Sequence, residues 1–245
     1  MITLGLTSEE GATVVGATGR LDLSSYAEFR DRLLKCAVDE PTAIVVHLLD
    51  GFEALGTSEL SVFTTVWMRV SEWPGVPVMI VADEGLRETL RRGGIARFVP
   101  QFPTVRLALD AVVEPRTRRR HEVRLPFSTA SARLARAFLR DTCSRWNLER
   151  VADDAALVVS ELVENAVKHT GSAPSLRLEL RPGQFAIAVY DDGPKLPELR
   201  RGTSGGRGMT VVEALSKAWG VSVSARGGKV VWAVLPLAEG ASTGG

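Results

Sequence analysis

Cysteine is nearly absent from this chain: Cys36 and Cys143 are the two among 245 residues. They make no disulfide framework, and neither has the company a metal-ligand spacing requires. Long apolar runs are missing too. The longest are strand-sized, such as Val76–Ala82, well short of the roughly 20 residues needed to cross a bilayer as a helix. The first ten residues lack the basic start and long apolar stretch of a secretory signal. No membrane association is expected from these absences, and the cytoplasm is the expected compartment. A strong net charge is also lacking, with 30 Lys/Arg against 29 Asp/Glu.

What is present is a core-forming composition. Hydrophobic residues make up 45% and charged residues 24%, the balance of a globular chain with room for one large or two ordinary domains. The charge is unevenly divided. Residues 1–113 carry ten Lys/Arg and fifteen Asp/Glu, and the remainder carries twenty and fourteen. A basic second half suits a nucleic acid, a nucleotide, the acidic half of its own chain, or ordinary scatter between domains. Between the halves, residues 114–121 hold Pro115 and the arginines Arg116, Arg118, Arg119 and Arg120. Proline discourages a continuing helix and crowded arginines repel, so this segment reads as an exposed linker. It has no interleaved aromatics, and direct nucleic-acid binding is not expected of it. The expected division is a domain over 1–113, a basic linker over 114–121, a domain over 122–237 and a flexible tail over 238–245.

Strand and helix signals alternate in the first half. Ala12–Thr18, Ala43–Leu49 and Val76–Ala82 read as strands. Ser24 or Ser25 is positioned to cap a helix running through Lys35, with Phe29, Leu33 and Leu34 inward. Glu59–Val70, Leu86–Arg92 and Thr104–Val113 read as further helices. Alternation of this kind predicts an α/β sandwich.

The second half opens with a short extended piece at Val123–Pro126. Two helices are predicted next. One spans Ala130–Arg145, with Leu134, Ala137 and Phe138 on its apolar side; the other spans Leu148–Lys168, with Val151, Leu157, Val158, Leu162 and Val163 inward. Leu176–Arg181 alternates as a half-buried strand. Phe185–Tyr190 follows the Pro182-Gly183 turn, and Asp191 ends it. Met209–Leu215 reads as a helix, and Val221–Ala225 with Lys229–Leu235 as a closing hairpin through Gly227-Gly228. Helices followed by antiparallel strands predict a second α/β sandwich, with helices on one face.

Chemistry concentrates in this half. Glu161 and Asn165 are four residues apart and share a face of their helix. An amide oxygen there can ligate magnesium, a hard cation that keeps waters and takes phosphate oxygens. A neighbouring carboxylate can orient or deprotonate an attacking oxygen. Four glycines lie between Gly202 and Gly208 ahead of a helix, so their amides form a ready anion site. Arg207 can reach terminal phosphates there, and Thr210 can donate a hydroxyl. Glu164 reads as exposed, and His169 as a structural hydrogen-bonding residue.

These motifs resemble the anti-sigma-factor serine/threonine kinases, within the ATPase family shared by histidine kinases, gyrase and the Hsp90 chaperones. The pattern Glu-Leu-Val-x-Asn-Ala-x-x-His falls on Glu161, Leu162, Val163, Asn165, Ala166 and His169. Asp-x-Gly falls on Asp191 and Gly193, and Gly-Arg-Gly on Gly206, Arg207 and Gly208. The resemblance implies that ATP and Mg2+ bind here. Asn165 would hold the metal, Asp191 would accept from the adenine amino group, and Glu161 would be the catalytic base. It also implies an arginine of the preceding helix near the substrate phosphate, with Arg133 and Arg136 both available. A further glycine common in the family is Lys195 here.

The first half resembles the STAS domain, the sulphate-transporter and anti-sigma-antagonist module. Gly19–Asp22, Val45–Gly51 and Val99-Pro100 leading to Val105–Leu109 carry the likeness. In antagonists of that family an Asp-Ser-Ser/Thr-Gly turn opens a helix, and its first hydroxyl receives phosphate. Here the turn is Gly56-Thr57-Ser58-Glu59. Thr57 takes the acceptor position, while the preceding acid and following glycine are missing. A hydroxyl at a helix start suits phosphorylation through free amides and the helix dipole, and it equally suits plain capping.

The resemblances imply an α/β protein: a STAS-like sandwich joined to a histidine-kinase-type ATPase sandwich whose helices pack on a mostly antiparallel sheet. They imply an ATP- and Mg-dependent serine/threonine kinase controlling sigma-factor availability, with an antagonist or a sigma factor as partner and room for a homodimer. The alternative is a nucleotide-binding switch that sequesters a partner without turnover. A histidine-kinase-like module is disfavoured, because no dimerising helical hairpin bearing an acceptor histidine precedes the ATP-type segment.

Overall fold

The computed structural model describes residues 2–112, 118–193, 207–223 and 228–237. The chain divides into two compact units, Met1–Glu114 and Pro115–Gly245. Among the described residues no helix is long and apolar enough to cross a membrane.

The first unit is built on a five-stranded sheet of order β1-β2-β3-β4-β5. The strands are β1 (Ile2–Glu9), β2 (Ala12–Leu21), β3 (Ile44–Ala54), β4 (Val78–Val81) and β5 (Gln101–Phe102). The β1–β2 pair is antiparallel and the other neighbours run parallel. Crossover helices supply those parallel connections: α1 (Leu23–Val38), α2 (Thr57–Glu72) and α3 (Glu84–Arg92), with α4 (Val105–Asp110) last. Because side chains alternate along a strand, β2, β3 and β4 feed both faces. Val15, Val46 and Ile80 join Phe29, Leu33, Phe63 and Val66 of α1 and α2 on one side. Val14, Val45, Met79 and Val81 meet Ala108 and Leu109 of α4 on the other.

β1 was not expected from sequence. Ile2, Leu4 and Leu6 nonetheless alternate with Thr3, Gly5 and Thr7 as strand residues do, and Ile2 and Leu4 pack against the core while most of β1 stays exposed. The cap of α1 also differs from expectation: Asp22 takes the N-cap position, and its carboxylate accepts from the Ser24 and Ser25 amides at 3.0 Å each. Ser25 completes the box by accepting from the Asp22 amide at 3.0 Å.

The second unit holds a fully antiparallel five-stranded sheet of order β6-β7-β8-β10-β9. Its strands are β6 (Arg119–Arg124), β7 (Ser175–Arg181), β8 (Gln184–Asp191), β9 (Ala218–Val223) and β10 (Lys229–Pro236), and its helices are α5 (Ser131–Trp146), α6 (Ala152–Thr170) and α7 (Arg207–Leu215). The core unites Leu139 of α5 and Val158, Val159, Leu162 and Val163 of α6 with Leu176, Leu178, Ile187 and Val189 of the sheet. Leu162 is fully enclosed, and truncating such a leucine to alanine costs about 2–5 kcal/mol. Both units are therefore α/β, and the second packs its helices on an antiparallel sheet.

Two readings of this half need correction. Arg119–His121 are part of strand β6 rather than of a connector. Arg118 and Arg120 bind the buried Glu179 carboxylate at 2.9 and 3.2 Å, and that partner is 59 and more residues away in sequence. The apolar side of α5 consists of Ala132, Ala135, Leu139 and Cys143, whereas Leu134 is exposed, as is Leu157 on α6. The expected tail at 238–245, residues 114–117 of the expected linker, and the Ser224-Ala225 and Gly227 part of the hairpin lie outside the described residues.

Candidate nucleotide site

Helix α6 carries the first two candidate residues. Seven apolar residues, from Ala155 to Ala166, fix its inner face on the sheet, leaving Glu161 and Asn165 half-buried at the margin, one turn apart. Burial, and then the negative charge of Glu164, push the Glu161 carboxyl above its ordinary value. Glu164 itself is exposed, as is His169. The Asn165 amide nitrogen donates to the Met209 sulfur at 3.6 Å, linking α6 to α7. This orientation presents the harder amide oxygen as the group to offer a cation.

The end of β8 supplies the third. Asp191 is 4% exposed. Its Oδ1 accepts from the Gly193 amide at 3.0 Å and lies 3.4 Å from the Lys229 ammonium. Its Oδ2 is buried and, among the described residues, has no hydrogen-bond partner, an arrangement costly enough to call for an explanation. Burial holds this carboxyl above its ordinary value, a rise that the Gly193 amide and then Lys229 reduce without cancelling.

The loop after Asp191 is held close to the end of α6. The Asp192 amide donates to Ser172 at 3.2 Å, and the Thr170 hydroxyl turns back onto the Ala166 carbonyl at 2.7 Å. A Cβ on Gly193 would fall 2.7 Å from that of Thr170, so only glycine lets the loop approach the helix this closely. Gly228 does similar service on the neighbouring strand. Its φ is +78°, and a Cβ there would meet the Asp191 carbonyl oxygen at 2.6 Å. That close passage brings Lys229 into register opposite Asp191.

The Asp191–Gly193 loop thus meets the C-terminal end of α6 at Thr170 and Ser172, Asn165 joins α7 through Met209, and Glu161 lies one turn before Asn165 on the same helix. Thr210 is exposed on α7. Gly208 lies in α7 and Arg207 begins it, but their side-chain positions fall outside the described part, as do Gly202, Gly205, Gly206 and Lys195 altogether. Arg136 reaches α6 and donates to Ser160 at 2.9 Å, immediately before Glu161; Arg133 is exposed. Lys229 escaped sequence reasoning, because strand pairing brings it to Asp191 from 38 residues away and no local motif announces it.

In the first unit, α2 begins at Thr57 and its N-cap is Gly56, which has no capping side chain. Thr57 therefore stands one position inside the helix, and the simple N-cap reading does not hold for it. The Thr57 side chain lies outside the described part. Ser58 donates to the Glu59 carboxylate at 2.8 Å, and Glu59 is buried.

Two domain families match the chain in succession. Residues 5–108 match the STAS domain, and residues 150–239 match the histidine kinase-, DNA gyrase B-, and HSP90-like ATPase. No curated protein matches the chain. Among solved structures, an anti-sigma factor antagonist from Mycobacterium paratuberculosis is 24% identical, with 46% of this chain and 94% of that chain covered and a TM-score of 0.39. A STAS domain anti-sigma-factor antagonist from Planctomyces limnophilus is 20% identical, covering 45% and 97% at a TM-score of 0.39. The RsbU and RsbW domains of a Mycobacterium tuberculosis protein are 22% identical, covering 49% of this chain and 32% of that one, with a TM-score of 0.36.

Two tests bear on the fit of ATP and magnesium. The buried Oδ2 of Asp191, unpartnered among the described residues, asks for a donor, and the adenine amino group is one. For the cation, no cluster of three His, Cys, Asp or Glu occurs among the described residues. Magnesium, however, needs only one or two protein oxygens when phosphates supply others, which the Asn165 amide oxygen suits.

Proposed function

We propose that the protein is an ATP- and Mg-dependent serine/threonine kinase that acts in partner switching, controlling a sigma factor through an antagonist. The observation that carries this reading is the Asp191 carboxylate, with one oxygen tied to Gly193 and Lys229 and the other buried and, among the described residues, unmet. It would accept from the base, and Asn165 would hold magnesium. The bound Mg-nucleotide supplies the phosphoryl group and much of the charge neutralisation that transfer requires.

The chain's own groups do the rest. Glu161, half-buried and next in line to Asn165, would take the proton from an incoming serine or threonine hydroxyl. Arg136, which donates to Ser160, or the exposed Arg133 would hold the incoming group from α5. Gly206, Arg207, Gly208 and Thr210 would close over the phosphates, their amides and side chains acting as donors. Placing a STAS-type domain in the same chain supports an antagonist or sigma factor as the protein partner.

Incubation with Mg2+ and γ-labelled ATP, alone and with candidate antagonists, followed by mass-spectrometric location of phosphate, tests the proposal. Label on a partner serine or threonine is the expected result. Label on Thr57 that Thr57→Ala abolishes would make the first unit a substrate as well. Tight nucleotide binding without any transfer would favour a sequestering switch instead.

A further inference from the structure

Lys229 is an unusual neighbour for a base-binding carboxylate. Its side chain is 5% exposed and that of Asp191 1% exposed. Burying a lone ammonium or carboxylate is costly, whereas burying the two together is tolerated when each answers the other. The pairing is built into the backbone. Lys229 stands opposite Asp191 in the β8–β10 ladder, and Gly228 is the glycine that lets β10 start that close. The ammonium and the Gly193 amide both address Oδ1, so the carboxylate is held from one side and Oδ2 is turned away from both donors.

We propose that Lys229 is the positioning residue of the base pocket: it keeps Asp191 ionised and fixes its rotamer, so that Oδ2 is presented as a charged acceptor. The proposal rests on the reading of Asp191 as the base-binding group and extends it to a second residue. Among the described residues, the charged groups acting on Asp191 are Lys229 from β10 and Asp192 beside it in the chain. Helix α6 approaches that loop with the uncharged Thr170, and β7 ends opposite Tyr190 at Ser175. Among the described residues, Lys229 is thus the cation that, together with the Gly193 amide, opposes burial and Asp192 without cancelling them. Without it, the carboxyl holds its proton to higher pH, and a protonated carboxyl loses the charge-assisted part of its hydrogen bond.

The test is ATP binding by calorimetry with full-length Lys229→Met, Lys229→Arg and Asp191→Asn, each compared with wild type at several values between about pH 6 and 8.5. Taking the ratio to wild type at each pH cancels the nucleotide's own titration. Methionine keeps the apolar stem, so packing alone predicts no change. The proposal predicts a loss on the order of tenfold or more near neutrality, greater at the acid end of the range than at the alkaline end. Lys229→Arg, which restores the charge, should bind within a few-fold of wild type with a flat ratio. A Lys229→Met protein that binds ATP as wild type does at every pH, while Asp191→Asn binds weakly, overturns the role of Lys229 alone. Unchanged affinity in Asp191→Asn overturns the base-pocket reading itself. Should Lys229→Met fail to fold by circular dichroism, Lys229→Gln is measured against the same two outcomes.

Discussion

Glu161 is where a single side chain makes the chemistry testable. Burial and the adjacent Glu164 raise its carboxyl above the ordinary value. A general base works only when ionised, so activity should fall as pH drops through that raised value. The rate of phosphate transfer is therefore expected to show an acid limb above the ordinary glutamate value of about 4.3. Neutralising Glu164 as Glu164→Gln should move that limb towards lower pH, because it removes the second cause of the shift. Transfer rates across the acid range check this. A limb that ignores Glu164 would mean that another group titrates.

At the scale of elements, helix α1 offers a local test of how the first unit is assembled. The Ser24 hydroxyl, followed by the Ser25 amide, lowers the Asp22 carboxyl to about 2. A depressed acid contributes stability above its unfolded value, near 3.9, and loses that contribution as pH falls through the folded value. Amide resonances of Ser24 and Ser25 should accordingly titrate with a midpoint of about 2, and an acid midpoint near 4 would contradict the capping box. In Asp22→Asn, which caps without titrating, this step should vanish.

Elements with strong local signals were legible in the sequence. The core strands and the paired helices of both units follow from their apolar spacing, and the residues of the proposed site fall on α6 and at the end of β8, the elements expected to carry them. What the sequence hid was set by distant partners. The arginines of β6 look like a repelling connector until Glu179 arrives from β7. Edge strand β1 is the exception, since its alternation of Ile2, Leu4 and Leu6 stands in the sequence although most of the strand is exposed. Leu134 and Leu157 fit an inward stripe by spacing, yet the helices are turned so that small residues, including Ala132, Ala135, Ala155 and Ala156, meet in the core. Lys229 shows the same limit at the site, since only the β8–β10 register brings it to Asp191.

Across the whole molecule, two units with separate cores share one chain, and the proposed nucleotide residues all fall in the second. A ligand that binds only the folded form stabilises it by mass action, about 2.7 kcal/mol at a hundredfold excess over Kd. Hydrogen exchange with and without Mg-ATP should therefore show added protection in α6, the end of β8, the start of β10 and α7. Strands β2–β4 of the first unit should change little. Protection concentrated in the first unit would place the nucleotide elsewhere.

The central claim is that this site transfers phosphate with Glu161 as its base. Side-by-side ATP calorimetry and γ-phosphate transfer by wild type and Glu161→Gln test it most directly. Glutamine preserves shape, so the account predicts ATP affinity within a few-fold of wild type and transfer slower by roughly 10²–10⁴. Transfer by Glu161→Gln at the wild-type rate, with ATP still bound, would contradict it.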